Sequence, residues 1–302
     1  MAEIVDMREA RYYSIQQNEK VRCGLCPHQC SLAPGETGLC RVRKNAGGQL
    51  VSLAYGRLSG LHMDPIEKKP LYRFFPGSRI LSVGSYGCNF RCPWCQNASV
   101  SQCTPGNGTA ESGSVSADDA LTEPADILAM ARKQQSIGVA YTYNEPTVWF
   151  EYMMDIALLI RRAGMQNVVV SNGYINPDPL NELLEVTDAF NIDLKSFDPG
   201  FYAQYTNGRL QPVSDTLKAI AGKGRHLEIT FLVIPGLNDD LAQFRDMTRW
   251  IAGHLGNHTV LHINRYFPAW HFSNPPTPAD TLRNMKTIAG KYLTHIYLGN
   301  IG

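Results

Sequence analysis

The stretch that decides the reading is Arg79-Ile-Leu-Ser-Val-Gly-Ser-Tyr-Gly-Cys-Asn-Phe-Arg-Cys-Pro-Trp-Cys95. Its first six residues form an apolar run closed by Gly84, the pattern of a strand buried on both faces. Cys88, Cys92 and Cys95 follow in C-x3-C-x2-C spacing, which puts their thiols in a loop at the strand's C-terminal end. Further apolar runs lie at 138–142, 167–171, 189–194, 227–234, 260–264 and 295–298. Between them, helical candidates at 124–137, 147–164, 177–186, 212–223, 239–254 and 278–292 repeat apolar residues three and four apart. This alternation predicts an α/β fold of parallel strands joined by right-handed crossovers. The expected core, residues 79–302, is a partial or full (β/α) barrel or a doubly wound sheet. In either, ligands gather at the C-terminal ends of the strands.

Residues 1–78 read differently. They hold four cysteines and scattered Gly and Pro but no long periodic helix, so a small Cys-rich N-terminal module is expected. The stretch 101–121 is dominated by Gly, Ser, Thr and Ala and reads as a mobile loop. With 28 basic and 27 acidic side chains the net charge is +1, which gives no reason to expect nucleic acid or an anionic membrane as partner. There is no apolar run of about 18 residues, and the opening Met-Ala-Glu-Ile-Val-Asp lacks the features of a secretory signal. A cytoplasmic location is expected. In that setting, eight clustered cysteines point to metal ligation or redox chemistry rather than disulfides.

Three thiolates spaced as Cys88, Cys92 and Cys95 can reach three irons of one 4Fe–4S cubane, whereas a saturated cluster needs four. The open iron can be chelated by an amine and a carboxylate, such as those of S-adenosylmethionine (SAM). A zinc site would want a fourth ligand and paired two-residue spacings.

Here the chain resembles the radical SAM superfamily, whose hallmark C-x3-C-x-aromatic-C is matched with Trp94 as the aromatic residue. The resemblance runs from about Val21 to the C-terminus. It looks like the pyruvate formate-lyase activating enzyme-like group, and within it the AmmeMemoRadiSam system radical SAM enzymes. The stretches that carry it are Cys23-Gly-Leu-Cys-Pro-His-Gln-Cys30, Asp64-Pro-Ile-Glu-Lys-Lys-Pro-Leu-Tyr72, Tyr141-Thr-Tyr-Asn-Glu-Pro-Thr147, Asn191-Ile-Asp-Leu-Lys195 and Val233-Ile-Pro-Gly-Leu-Asn-Asp239. The resemblance implies a β/α barrel in which Trp94 lies near the adenine of SAM. It implies that Tyr143, Asn144 and Glu145 occupy the place of a Gly-Gly-Glu segment facing the SAM amino group. Ser171 and Asn172 fall at the ribose, Lys195 with Asp193 at the carboxylate, and Val233 and Ile234 beside the adenine. Relatives often carry a histidine near the place of Phe267, with Asn264 or Tyr266 as substitutes here.

Cys23, Cys26, Cys30 and Cys40, spaced C-x2-C-x3-C-x9-C, suit either a second, saturated iron–sulfur cluster or a structural zinc, with His28 as a neighbour. Cys103 has no partner by spacing. The expected activity is reductive cleavage of SAM to a 5′-deoxyadenosyl radical that abstracts hydrogen from a substrate, a protein among the candidates. The implied partners are a low-potential donor such as ferredoxin or flavodoxin and, by resemblance, Memo-type and AMMECR-type proteins. The alternatives are a glycyl-radical enzyme activase and a non-catalytic iron–sulfur electron carrier.

Overall fold

A computed structural model describes residues 7–104 and 121–301. Six short strands come first: β1 (Arg8–Glu9), β2 (Tyr13–Ile15), β3 (Val21–Cys23), β4 (Ser31–Leu32), β5 (Arg43–Ala46) and β6 (Gln49–Ser52). They form two antiparallel three-stranded sheets, ordered β1-β6-β5 and β2-β3-β4.

The main sheet has eight strands: β7 (Gly60–Pro65), β8 (Arg79–Gly84), β9 (Gly138–Tyr141), β10 (Gln166–Ser171), β11 (Ala189–Asp193), β12 (His226–Val233), β13 (Val260–Arg265) and β14 (Ile296–Gly299). From β8 to β14 every neighbouring pair is parallel, and the spatial order follows the chain. The edges β7 and β14 do not pair with each other, so the barrel is partial. Strands β8 and β9 are buried almost throughout, which is why they read as continuous apolar runs.

Strand β7 pairs antiparallel with β8, so the sheet begins on the N-terminal side of residue 79. It escaped the periodicity because an edge strand needs only partial burial, and Gly60–Pro65 carries His62, Asp64 and Pro65. The helices are α1 (Ala98–Ser101), α2 (Pro124–Lys133), α3 (Phe150–Arg162), α4 (Pro177–Val186), α5 (Pro199–Phe201), α6 (Leu210–Gly222), α7 (Leu241–Leu255) and α8 (Ala279–Ala289). Helix α2 stops earlier than its apolar pattern suggested, because the chain reverses at Gln135, whose φ is 53°. Among the described residues no helix is long and apolar enough to cross a membrane.

The N-terminal sheets share a continuous hydrophobic core with the barrel, in which Val21, Leu25 and Val42 join Val148 and Phe150. Arg43 on β5 is fixed across that junction. Its guanidinium donates to Glu151 at the start of α3 (Nη1 to Oε1, 3.0 Å) and to the carbonyl of Arg11, and both charged side chains are almost wholly buried. The Arg11 amide adds a second donor to Glu151 at 2.7 Å. Removing one partner of such a pair leaves an uncompensated buried charge, which costs about 3–5 kcal/mol. Glu151→Leu is therefore expected to lower the unfolding free energy by about that amount, measured by urea denaturation. A loss under about 1 kcal/mol, the range of an exposed pair, would show that the pair does not hold the junction.

Candidate functional site

The C-terminal strand ends of the main sheet surround a cavity of about 390 Å³. Cys88, Cys92, Trp94 and Cys95 reach it from the loop after β8, Tyr143, Asn144 and Glu145 from the turn after β9, and Ser171 and Asn172 from the end of β10. Asp193 and Lys195 enter from β11 and Asn264 from β13.

Val233 and Ile234 do not line the cavity; both are fully buried in the core. The strand's period of two decides this. Thr230 and Leu232 of β12 face the cavity, so Val233 points the other way, while the Ile234 amide is held by Asn238 Oδ1 at 2.7 Å. Tyr266 and Phe267 are also absent from the lining. The Tyr266 hydroxyl bonds to the Phe272 carbonyl at 2.8 Å, and Phe267 is exposed. Lys68, Lys69 and Asn300 line the cavity without having been expected there, and the Lys-Lys pair within Asp64–Tyr72 was the available signal.

The cysteine loop is pinned to the sheet by Asn144. Its side chain accepts from the Ser85 amide (3.2 Å) and from Trp149 Nε1 (3.3 Å), and donates to the Gly87 carbonyl (2.8 Å). Gly87 has a φ of 83°, and a Cβ there would stand 2.4 Å from the Cys40 carbonyl oxygen, so only glycine fits. Cys88 Sγ accepts from the Phe90 amide at 3.3 Å, and Cys95 Sγ lies 3.2 Å from Ser101 Oγ. Trp94 packs among Phe201, Tyr205 and Phe272.

All three thiols are free. Burial raises the Cys88 thiol well above its ordinary pKa and pushes Cys92 up to about 12. Thiols so placed become thiolates against positive charge of the kind that iron supplies. Among the described residues no three His, Cys, Asp or Glu side chains converge as they would on a single metal ion. A cubane makes no such demand, because each thiolate binds its own iron. The donor set fits a three-thiolate 4Fe–4S cluster.

Glu145 is buried, and its carboxylate accepts four hydrogen bonds. The donors are the Thr147 amide (3.1 Å), Thr147 Oγ1 (2.8 Å), Ser171 Oγ (2.8 Å) and the Asn172 amide (2.8 Å). Burial raises its pKa, and these donors work against that rise. Asn172 Nδ2 in turn donates to Asn89 Oδ1 at 2.8 Å and stands 3.8 Å from Cys88 Sγ. Lys195 Nζ donates to Asp193 Oδ2 at 2.8 Å. Burial lowers its pKa, but Asp193 and then Cys92 outweigh that and raise it, so the ammonium stays charged.

At the rim Tyr143 takes a left-handed backbone, φ 72°. Its hydroxyl donates to Asp64 Oδ2 at 2.9 Å, and its carbonyl accepts from Asn97 Nδ2 at 2.6 Å. Buried Lys69 donates to the same Asp64 oxygen at 2.8 Å. Burial pushes the Asp64 carboxyl up, but Lys69 and Tyr143 hold it well below the usual carboxylate range.

Cys23, Cys26, Cys30 and Cys40 line a second, smaller cavity. His28 borders it, but its Nε2 is occupied by the Asn89 carbonyl at 2.8 Å. Cys103 stands apart, its thiol 3.4 Å from the Val100 carbonyl. Residues 105–120, most of the stretch expected to be a mobile loop, lie outside the described residues.

The family model of the Radical SAM superfamily matches residues 82–249. A protein of Methanocaldococcus jannaschii described as uncharacterized is 37% identical over 98% of this chain and 86% of its own length. The pyruvate formate-lyase-activating enzyme of Listeria monocytogenes is 27% identical over 55% of this chain and 66% of its own. Among solved structures, a radical SAM methyltransferase from Sphaerobacter thermophilus superposes with a TM-score of 0.55 at 14% identity, covering 76% of this chain and 68% of that one. Radical SAM proteins bind a 4Fe–4S cluster and SAM. From its cysteine loop, its parallel sheet and the match across the core, this chain belongs to the radical SAM superfamily.

Proposed function

We propose that the protein is a radical SAM enzyme in which Cys88, Cys92 and Cys95 hold the cluster, SAM lies along the ends of β9 to β13, and a substrate hydrogen is abstracted within the cavity. The observation that carries this reading is that the three cysteines and the polar strand-end residues line one cavity. When bound, the cluster and SAM supply one-electron cleavage of a carbon–sulfur bond and hence a 5′-deoxyadenosyl radical.

The chain's own residues orient and shield. Lys195, charged and held by Asp193, is suited to a carboxylate. Ser171 spends its hydroxyl proton on Glu145 and keeps an oxygen lone pair for a donor such as a ribose hydroxyl. Leu232 takes the apolar role foreseen for Val233 and Ile234. Glu145, whose Oε1 takes Thr147 and Ser171 and whose Oε2 takes the Asn172 amide, acts as a positioning residue that sets Ser171 and Asn172.

A glycyl-radical enzyme activase is the second reading, favoured by the likeness to pyruvate formate-lyase-activating enzyme. It would make the substrate a backbone glycine of a partner protein. In either case the reductant is a low-potential carrier of the ferredoxin or flavodoxin kind, the setting is cytoplasmic, and Memo-type or AMMECR-type proteins are partners to test.

Reconstituted anaerobically and given SAM and dithionite, the wild type is expected to form 5′-deoxyadenosine, and Cys88/Cys92/Cys95→Ala none. Product from both, or from neither despite an intact wild-type cluster that binds SAM, would count against the reading. Glu145→Gln turns an amide N–H₂ toward donors that now meet a carboxylate. Losing one such charge-assisted bond, about 1.5–3 kcal/mol, should weaken SAM binding about 10- to 100-fold with cluster iron unchanged. Equilibrium titration of SAM checks this, and an unchanged affinity would remove the positioning role.

A further inference from the structure

The four N-terminal cysteines take no part in the function proposed above, yet the fold brings them together. Cys23 on β3, Cys26 and Cys30 on the loop that follows, and Cys40 in the turn before β5 line one small cavity, otherwise walled largely by apolar side chains such as Leu25, Leu32 and Val148. All four are free thiols. A Cβ on Gly38 would lie 3.7 Å from Cys30 Sγ and 3.8 Å from Cys40 Sγ.

A second, independent feature points to a ligand. Arg43 lines the same cavity and is 1% exposed, and its Nε has no hydrogen-bond partner. A buried guanidinium N–H without an acceptor is costly, and an anionic sulfur-rich centre in the cavity would satisfy it.

We propose that Cys23, Cys26, Cys30 and Cys40 hold a second 4Fe–4S cluster, fully ligated by the protein and distinct from the one at the Cys88 loop. Four thiols facing one cavity allow one thiolate per iron of a cubane, and a structural zinc is the competing outcome of the test. With four thiolates the cluster has no open iron for SAM, and what it can exchange is single electrons. Its seat suits this: the Cys40 carbonyl packs on Gly87, one residue from Cys88, and His28 bonds to the Asn89 carbonyl.

The test uses the full chain reconstituted anaerobically with iron and sulfide, and it does not depend on SAM cleavage. Cys88/Cys92/Cys95→Ala is expected to retain about four irons and about four acid-labile sulfides per chain, against about eight of each in the wild type. Its dithionite-reduced electron paramagnetic resonance signal should be unchanged by SAM. In the reciprocal variant Cys30→Ser, about half of the iron should be lost while a SAM-sensitive signal remains. A folded triple variant that binds no iron, or about one zinc per chain, would overturn the proposal, as would wild-type iron content in Cys30→Ser.

Discussion

Parallel pairing is the constraint on which this molecule depends. Each strand from β8 to β14 runs the same way as its neighbour, so each delivers the chain to the same rim. Residues as distant in sequence as Cys88 and Asn264 therefore meet around one cavity without any direct attraction between them. The helices return the chain to the opposite rim and bury the sheet's outer face, leaving the loops after each strand free to carry chemistry.

That rim concentrates polar and charged groups in a half-buried place, and the structure deals with them by pairing. Glu145 is met by four donors, Lys195 by Asp193, and Lys69 by Asp64 and the ring of Tyr143. Each pair offsets the desolvation of its members and fixes their rotamers, so the cavity is organised before a ligand enters. The left-handed turn at Tyr143 belongs to the same arrangement, since it lets Asn144 reach back to the Cys88 loop while the tyrosine hydroxyl reaches Asp64.

The N-terminal segment is built into this site rather than hung beside it. Arg43 and Glu151 lock its sheet to α3, Asn176 Nδ2 donates to the Gly24 carbonyl at 2.7 Å, and the Cys40 carbonyl occupies the space that a side chain on residue 87 would need. The backbone of the Cys88 loop is thus shaped by packing from the module as well as by its own strand. This also explains why β7, which sequence pattern assigns to the module, completes the edge of the main sheet.

By itself the sequence determined the order and kind of the elements, because seven continuous apolar runs and six amphipathic stretches are local signals. It also determined the cysteine spacing and, through alternation, that polar residues at 143–145, 171–172, 193 and 195 would share one rim. What only the tertiary structure decided depended on non-local contacts. Whether Val233 or Leu232 faces the cavity turns on strand register, which a run of apolar residues does not reveal. That Glu145 accepts from Ser171 and Asn172 of the next strand, that Lys68 and Lys69 come round to the cavity, and that four N-terminal thiols close on one space beside an Arg43 whose Nε lacks a partner all required the chain to be folded, since each pairs residues that no local pattern connects.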